Sequence, residues 1–282
     1  MSKPDPDFYN RQYNARATIP DHPRIFTRWQ KDSAAVRRQL AGLFDIAYGD
    51  ASGERLDFFP ASRGNAPLLV FIHGGWWRSL DKSDFSFVVP AYTRAGFNVA
   101  LTNYTLAPQA SVAEIVAEQL RALAWLYRHA EQYDFDAGRI VVAGHSAGAH
   151  LAAMMMAAHW PVYADDLPAD LVKGAVLMSG IYDLEPVRHA DFVNVDLKIG
   201  EADVARLSPA LMPPHRPIPF VTACGARESD EFRRQTALIE NAWKDAHQTT
   251  VPLPQSNHLT ICDAFADPDH ALCRASLALL AR

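Results

Sequence analysis

Cysteine is scarce in this sequence. Three residues, Cys224, Cys262 and Cys273, occur among 282. They form no C-x-x-C pair and leave an odd count, which excludes a disulfide framework or a cysteine-rich zinc site and suits a reducing compartment. Positive charge is not in excess either. Lys and Arg number 27 against 32 Asp and Glu, a net charge of −5, so there is no basic field for nucleic acid or an anionic membrane surface. Long apolar runs are missing. The longest, around Leu151 to Trp160, is too short to cross a bilayer. The opening M-S-K-P-D-P-D-F-Y-N has no apolar segment of the signal-peptide kind, and the expectation is a cytoplasmic protein. H-E-x-x-H and H-x-H are absent. His145 and His150 stand near each other without the three or four convergent ligands a zinc ion needs, so neither metal nor cofactor is expected. Internal repeats and low-complexity segments are lacking as well.

What remains is ordinary globular composition, 49% hydrophobic and 21% charged, long enough for one large α/β domain. Residues 1–30 carry Phe8, Tyr9, Tyr13, Phe26 and Trp29 without a sustained period. A solvated tail rarely holds so many aromatics, so these residues read as an arm packed on the body, either over a site or only over core. From residue 31 to 282 the chain reads as a single domain. Helical spacing is expected at 30–43, 83–95, 112–129, 231–245 and from 271 onward. Strands are expected at 44–48 and 55–59, which form a hairpin, and at 68–72, 97–101, 140–143, 174–178, 220–224 and 249–253. Strands alternating with helices predict a mostly parallel sheet of about eight strands, with helices on both faces and an antiparallel edge at its beginning. Residues 182–219 are the expected cap-like insertion, above the carboxyl ends of the strands where ligands bind in such folds.

The organising stretch is Ile140 to Leu151, I-V-V-A-G-H-S-A-G-A-H-L. A short apolar strand runs into G-x-S-x-G and then directly into an apolar helix. That is the nucleophile-elbow pattern, in which the serine hydroxyl, here Ser146, stands exposed on a sharp strand-to-helix turn. A serine hydroxyl is a weak nucleophile and needs a base, which a third group must orient. Seven histidines follow Ser146. His258 lies just after the last predicted strand and is the preferred base, with His270 second. The acid is expected after the strand 220–224, where the loop offers Glu228, Asp230 and Glu231. Glu228 comes first, Asp230 second and Asp183 third; Glu231 reads as a helix cap. His73-Gly74-Gly75-Trp76-Trp77, after the strand 68–72, reads as an oxyanion loop. Its expected donors are the backbone N–H groups of Gly75, Trp76 and Ala147, each worth about 3 to 4 kcal/mol by deletion in such sites. His73 reads as a structural ring that holds the loop.

H-G-G-W-W at 73–77, N-Y-T-L-A-P at 103–108, G-H-S-A-G-A-H-L at 144–151, S-G-I-Y-D-L at 179–184, L-S-P at 207–209, E-S-D-E-F-R-R-Q at 228–235 and N-H at 257–258 run over most of the chain. With Y-N-R and Q-Y-N-A-R near the start, this set resembles the α/β-hydrolase superfamily, and within it the kynurenine formamidase (arylformamidase) and hormone-sensitive-lipase-like esterase group. Two aromatics after H-G-G resemble the formamidase branch more than the H-G-G-G of the esterases. The family usually has Asp at the acid position, where this chain has Glu228.

The resemblance implies an α/β-hydrolase fold and a cofactor-free serine hydrolase. It would cleave a small aryl formamide such as N-formyl-kynurenine through an acyl-enzyme, in tryptophan catabolism. Short acyl esters are the alternative substrates, and a ligand-binding protein without turnover is the third reading. An aromatic substrate suits a pocket walled by Trp76, Trp77, Tyr104 and Tyr182, with one of the paired tryptophans as wall and the other as packing. The expected partner is that small aromatic formamide or ester, with no nucleic acid or membrane. A homodimer is left open.

Overall fold

The computed structural model describes residues 6–282. A sheet of eight strands forms its centre: β1 (Leu43–Ala47), β2 (Arg55–Phe59), β3 (Ala66–Ile72), β4 (Asn98–Thr102), β5 (Phe135–His145), β6 (Val172–Met178), β7 (Phe220–Gly225) and β8 (His247–Leu253). Their order is β1-β2-β4-β3-β5-β6-β7-β8. β1 and β2 pair antiparallel at one edge, and β2 pairs antiparallel with β4. Every later pairing is parallel.

Alternation along the central strands divides the core in two. Leu68, Val70, Ile72, Ile140 and Val142 point to one face, where the helices Val112–Arg128 and Ala147–Ala157 cover them. Leu69, Phe71, Val141 and Ala143 point to the other, covered by the helix Ala271–Leu280 through Leu272, Cys273 and Leu279. All seven residues of β3 are buried, as a strand covered on both faces requires. Each fully buried Val, Leu or Ile side chain contributes about 1.5 to 3 kcal/mol relative to exposure. Among the described residues no helix is long and apolar enough to cross a membrane.

Three helices open the described chain: α1 (Pro6–Tyr13), α2 (Ala15–Thr18) and α3 (His22–Gln39). The first five residues of the arm expected over 1–30 lie outside the described residues. α3 passes position 30 without a break, beginning earlier than the helix expected at 30–43 because Pro23 sits in its first turn, where a missing N–H is tolerated. It also ends earlier, and Leu43 starts β1. The arm is tied to the far end of the sequence. Tyr13 is fully buried; its hydroxyl donates to Glu231 Oε2 at 2.8 Å and accepts from Gln235 Nε2 at 2.9 Å. Arg28 grips Asp263 with two hydrogen bonds of 3.0 and 2.7 Å, and Trp29 Nε1 donates to the same carboxylate at 3.1 Å.

The single helix expected at 83–95 is two pieces, a 3-10 segment Lys82–Val88 and an α-helix Val89–Arg94. Pro90 explains the division, since within a continuous α-helix it would remove a hydrogen bond and clash with the preceding turn, whereas here it opens the second piece. Residues 182–219 hold short helices at Glu185–Arg188, Asp191–Leu197 and Glu201–Leu207.

Candidate active site

Ser146 sits between β5 and the helix Ala147–Ala157 at φ 56° and ψ −119°. That conformation is costly for a residue with a side chain, about 1 to 3 kcal/mol, and persists only where surroundings enforce it. Two glycines do so here. A Cβ on Gly144 would stand 2.1 Å from the Gly148 carbonyl oxygen, and one on Gly148 would stand 2.0 Å from that of Ile72. The turn closes because neither residue has a side chain. The Ser146 N–H donates to the Met178 carbonyl at 2.8 Å, pinning the elbow to β6.

His258 follows β8 and places Nε2 3.0 Å from Ser146 Oγ. Its Nδ1 lies 2.6 Å from Glu228 Oε2. Glu228, in the turn after β7, folds back so that Oε1 accepts from the Gly225 N–H at 2.7 Å and from Ser179 Oγ at 2.6 Å. Burial raises the Glu228 pKa, but the attraction of His258 and the hydrogen bonds from His258, Ser179 and Gly225 outweigh it, leaving the carboxyl below the ordinary glutamate value. The carboxylate is therefore charged and fully partnered in a buried place. The competing residues are engaged elsewhere: Asp230 is exposed and paired with Arg233. Asp183 accepts from the Glu185 N–H at 3.0 Å, and His270 Nδ1 accepts from the Leu272 N–H at 3.1 Å at the start of the last helix. Glu231 holds Tyr13 and Arg234.

The loop after β3 approaches the serine from the opposite side. A Cβ on Gly74 would lie 3.1 Å from Ser146 Cβ, so the backbone itself occupies that space. Gly75, Trp76 and Trp77 all have positive φ, at 108°, 56° and 53°. Only a glycine fits at 75, where a Cβ would meet the Ser79 carbonyl oxygen at 2.1 Å. Gly75 and Trp76 line a cleft of about 360 Å³ together with Ser146 and His258. Ala147 is the first residue of the elbow helix, whose leading N–H groups have no intrahelical acceptor. His73 fixes the loop: Nδ1 lies 2.7 Å from the Gly74 carbonyl and Nε2 2.8 Å from Asn103 Oδ1.

Of the four aromatic residues expected in the pocket, only Trp76 lines the cleft, and the other three need correction. Trp77, Tyr104 and Tyr182 are buried in the core and none lines the cleft. Trp77 turns inward and meets the His150 ring edge-on at 4.9 Å, while its neighbour Trp76 turns outward into the cleft. Tyr104 stacks on His73 at 4.4 Å and donates to the His73 carbonyl at 3.0 Å, supporting the oxyanion loop from behind. Tyr182 packs back over Gly180, where a Cβ would lie 2.2 Å from its hydroxyl. The aromatic walls are instead Phe26, Trp29, Trp76 and Phe192, two of them from the arm and one from the 182–219 segment.

Sequence reasoning missed three supporting residues. Ser179, on the carboxyl side of β6, holds Glu228; its place at the head of S-G-I-Y-D-L was the available signal. His145 lines the cleft and donates from Nε2 to the His258 carbonyl at 2.6 Å, locking the loop that carries the imidazole. Phe232 packs on the His258 ring with centroids 4.1 Å apart. Among the described residues no group of three or more His, Cys, Asp or Glu could hold a metal ion. The arrangement is that of an activated hydroxyl: a serine in hydrogen-bond reach of an imidazole whose other nitrogen a carboxylate holds, in a cleft that the glycine loop also lines.

Known proteins share this architecture. A family model described as BD-FAE matches residues 56–170. A kynurenine formamidase of Salmo salar is 30% identical over 98% of this chain and 95% of its own length, and one of Danio rerio is 31% identical over 85% and 82%. Among solved structures, a candidate thioesterase from Silicibacter superposes with a TM-score of 0.82 at 26% identity, covering 96% of this chain and 98% of that one. The esterase LipW of Mycobacterium marinum shares the fold at a TM-score of 0.71 and 19% identity, over 95% of this chain and 89% of its own. With this sheet, this elbow and relatives aligned along nearly its whole length, the chain is a hydrolase of the α/β-hydrolase fold and belongs to the kynurenine formamidase family.

Proposed function

We propose that this protein is a serine hydrolase that cleaves small aryl formamides, N-formyl-kynurenine among them, through a formyl-enzyme. One observation carries the mechanism, the unbroken chain from Ser146 Oγ through His258 to Glu228, at 3.0 and 2.6 Å, beside the glycine loop, and the kynurenine formamidase relatives support the formamide class. Ser146 Oγ attacks the formyl carbon while His258 Nε2 takes its proton. Glu228 holds the Nδ1 proton and stabilises the imidazolium. The N–H groups of Gly75, Trp76 and Ala147 receive the oxyanion. As the C–N bond breaks, His258 returns the proton to the leaving amine, and the formyl group stays on Ser146. A water, deprotonated by His258, then releases formate and restores the serine. The rings of Phe26, Trp29, Trp76 and Phe192 supply an apolar wall for an aryl leaving group. Three free cysteines support a cytoplasmic setting.

The Ser146→Ala variant tests the mechanism. Formate release from N-formyl-kynurenine should fall by about 10⁴-fold or more with the fold intact by circular dichroism; turnover near wild type would sink it. A carboxylesterase is the second reading, favoured by the esterase relatives and by a site that serves esters as well as amides. Comparing kcat/KM on N-formyl-kynurenine with that on a short aryl ester separates the two.

A further inference from the structure

The cleft beside Ser146 contains an unmatched positive charge. Its charged side chains are two guanidiniums, Arg16 and Arg78, and one carboxylate, Asp196. Asp196 is already engaged, with Oδ2 2.5 Å from Arg78 Nη1. Arg16 has no carboxylate in ion-pair reach among the described residues. Its position is nevertheless fixed. Nη2 donates to Ser79 Oγ at 3.0 Å, and that hydroxyl donates onward to the Gly75 carbonyl at 2.9 Å. The guanidinium carbon stands 5.1 Å over the Phe26 ring, another wall of the same cleft. Thus a cation from the N-terminal arm is anchored two hydrogen bonds from the glycine loop, with donors to spare. Arg16 is solvent-exposed at the rim of the cleft, and partial desolvation there and the nearby Arg78 charge both weaken its hold on its proton, the direction an anionic neighbour would reverse. A planar guanidinium fork matches a carboxylate with two parallel hydrogen bonds.

We propose that Arg16 is the specificity-determining residue of this cleft and binds the carboxylate of the substrate's leaving group. The inference rests on the reading of Ser146 as nucleophile and of a formamide as substrate. A formyl group has no room for a second functional group, so the carboxylate belongs to the amine side. Arg78 is not the site, because Asp196 balances it.

The test uses a matched pair of N-formyl anilines, one with a side chain ending in a carboxylate and the other in the corresponding primary carboxamide. The wild-type enzyme should prefer the carboxylate in kcat/KM by about 10- to 100-fold, the range for charge-assisted hydrogen bonds. In Arg16→Gln that ratio should fall to within about threefold of one, and Arg16→Lys, which keeps the charge and loses the fork, should lie between. A defect in folding or in the anchor to Ser79 lowers both rates together and leaves the ratio where it was. A wild-type ratio near one, or a ratio unchanged in Arg16→Gln, overturns the assignment. Should neither formamide be turned over, the formamidase reading fails by itself, and the same carboxylate and carboxamide pair prepared as phenyl acetates still measures the ratio at Arg16.

Discussion

Two histidines buried around the elbow make the stability of this fold fall with acid by an amount that follows from their positions. Burial lowers the pKa of His145 from 6.5 to about 3, helped by the nearby His258, and that of His150 from 6.5 to about 4. Each ring uses an N–H on a carbonyl, His145 on His258 at 2.6 Å and His150 on Leu207 at 2.7 Å. In both, Nδ1 is buried without a partner that could receive a second proton. The unfolded chain takes up a proton at each below pH 6.5, and the folded chain does not until far lower. Stability is therefore complete above about pH 7 and is lost as pH falls through the unfolded value. Between pH 8 and 5.5 each histidine removes about 1.4 kcal/mol, roughly 3 kcal/mol for the pair, with a slope near 5.5 of about 2.5 kcal/mol per pH unit. His73 is depressed by burial too and acts in the same direction. Glu228, whose pKa is also lowered, acts only as pH falls below the ordinary carboxylate range, so the chosen window isolates the histidines. Urea unfolding at constant ionic strength across pH 8 to 5.5 measures the slope. His150→Gln should reduce it by about 1.2 kcal/mol per pH unit, one proton's share. A total change under about 1 kcal/mol, or a variant slope equal to wild type, refutes the reasoning.

Glu228→Gln keeps the shape of the side chain but removes the charge facing His258; kcat should drop by about 10³- to 10⁴-fold in a formate-release assay, and a loss under tenfold would remove Glu228 from the mechanism. Gly148→Ala places a methyl 2.0 Å from the Ile72 carbonyl oxygen, and the backbone shift should lower unfolding free energy by about 3 kcal/mol, a loss that an unchanged urea midpoint would contradict. Tyr13→Phe removes the hydroxyl that joins Glu231 and Gln235. It should cost about 1 to 2 kcal/mol and speed limited proteolysis within residues 6–21; cleavage at the wild-type rate would show that the aromatic packing alone holds the arm.

The parts of the site that were legible in the sequence are those whose chemistry is local. Ser146 is marked by the glycines that its own turn requires, and Gly75 by the double glycine after a buried strand. His258 and Glu228 could be reached through topology, since each directly follows a strand that the apolar pattern reveals. The cleft walls could not. Whether Trp76 or Trp77 faces inward depends on two successive positive-φ residues, which no period describes. Tyr104 and Tyr182 look like binding aromatics until both are seen to be buried, with their hydroxyls turned to the His73 carbonyl and over Gly180. The helix Ile261–Ala266 right after the base is too short for its spacing to announce it, and the break before Pro90 was signalled by the proline but masked by apolar residues on both sides.

The tie between Tyr13 and Glu231 spans 218 residues, and that between Ser146 and His258 spans 112. Loops of that length close late, because chain entropy opposes them until the intervening sheet has formed. On refolding from denaturant, the central strands should regain their amide protection before the protein regains turnover, and the cleft, walled by the first helices and closed by the last loops, becomes the slowest part of the molecule to mature. Catalytic competence is in this sense a readout of the final long-range closures.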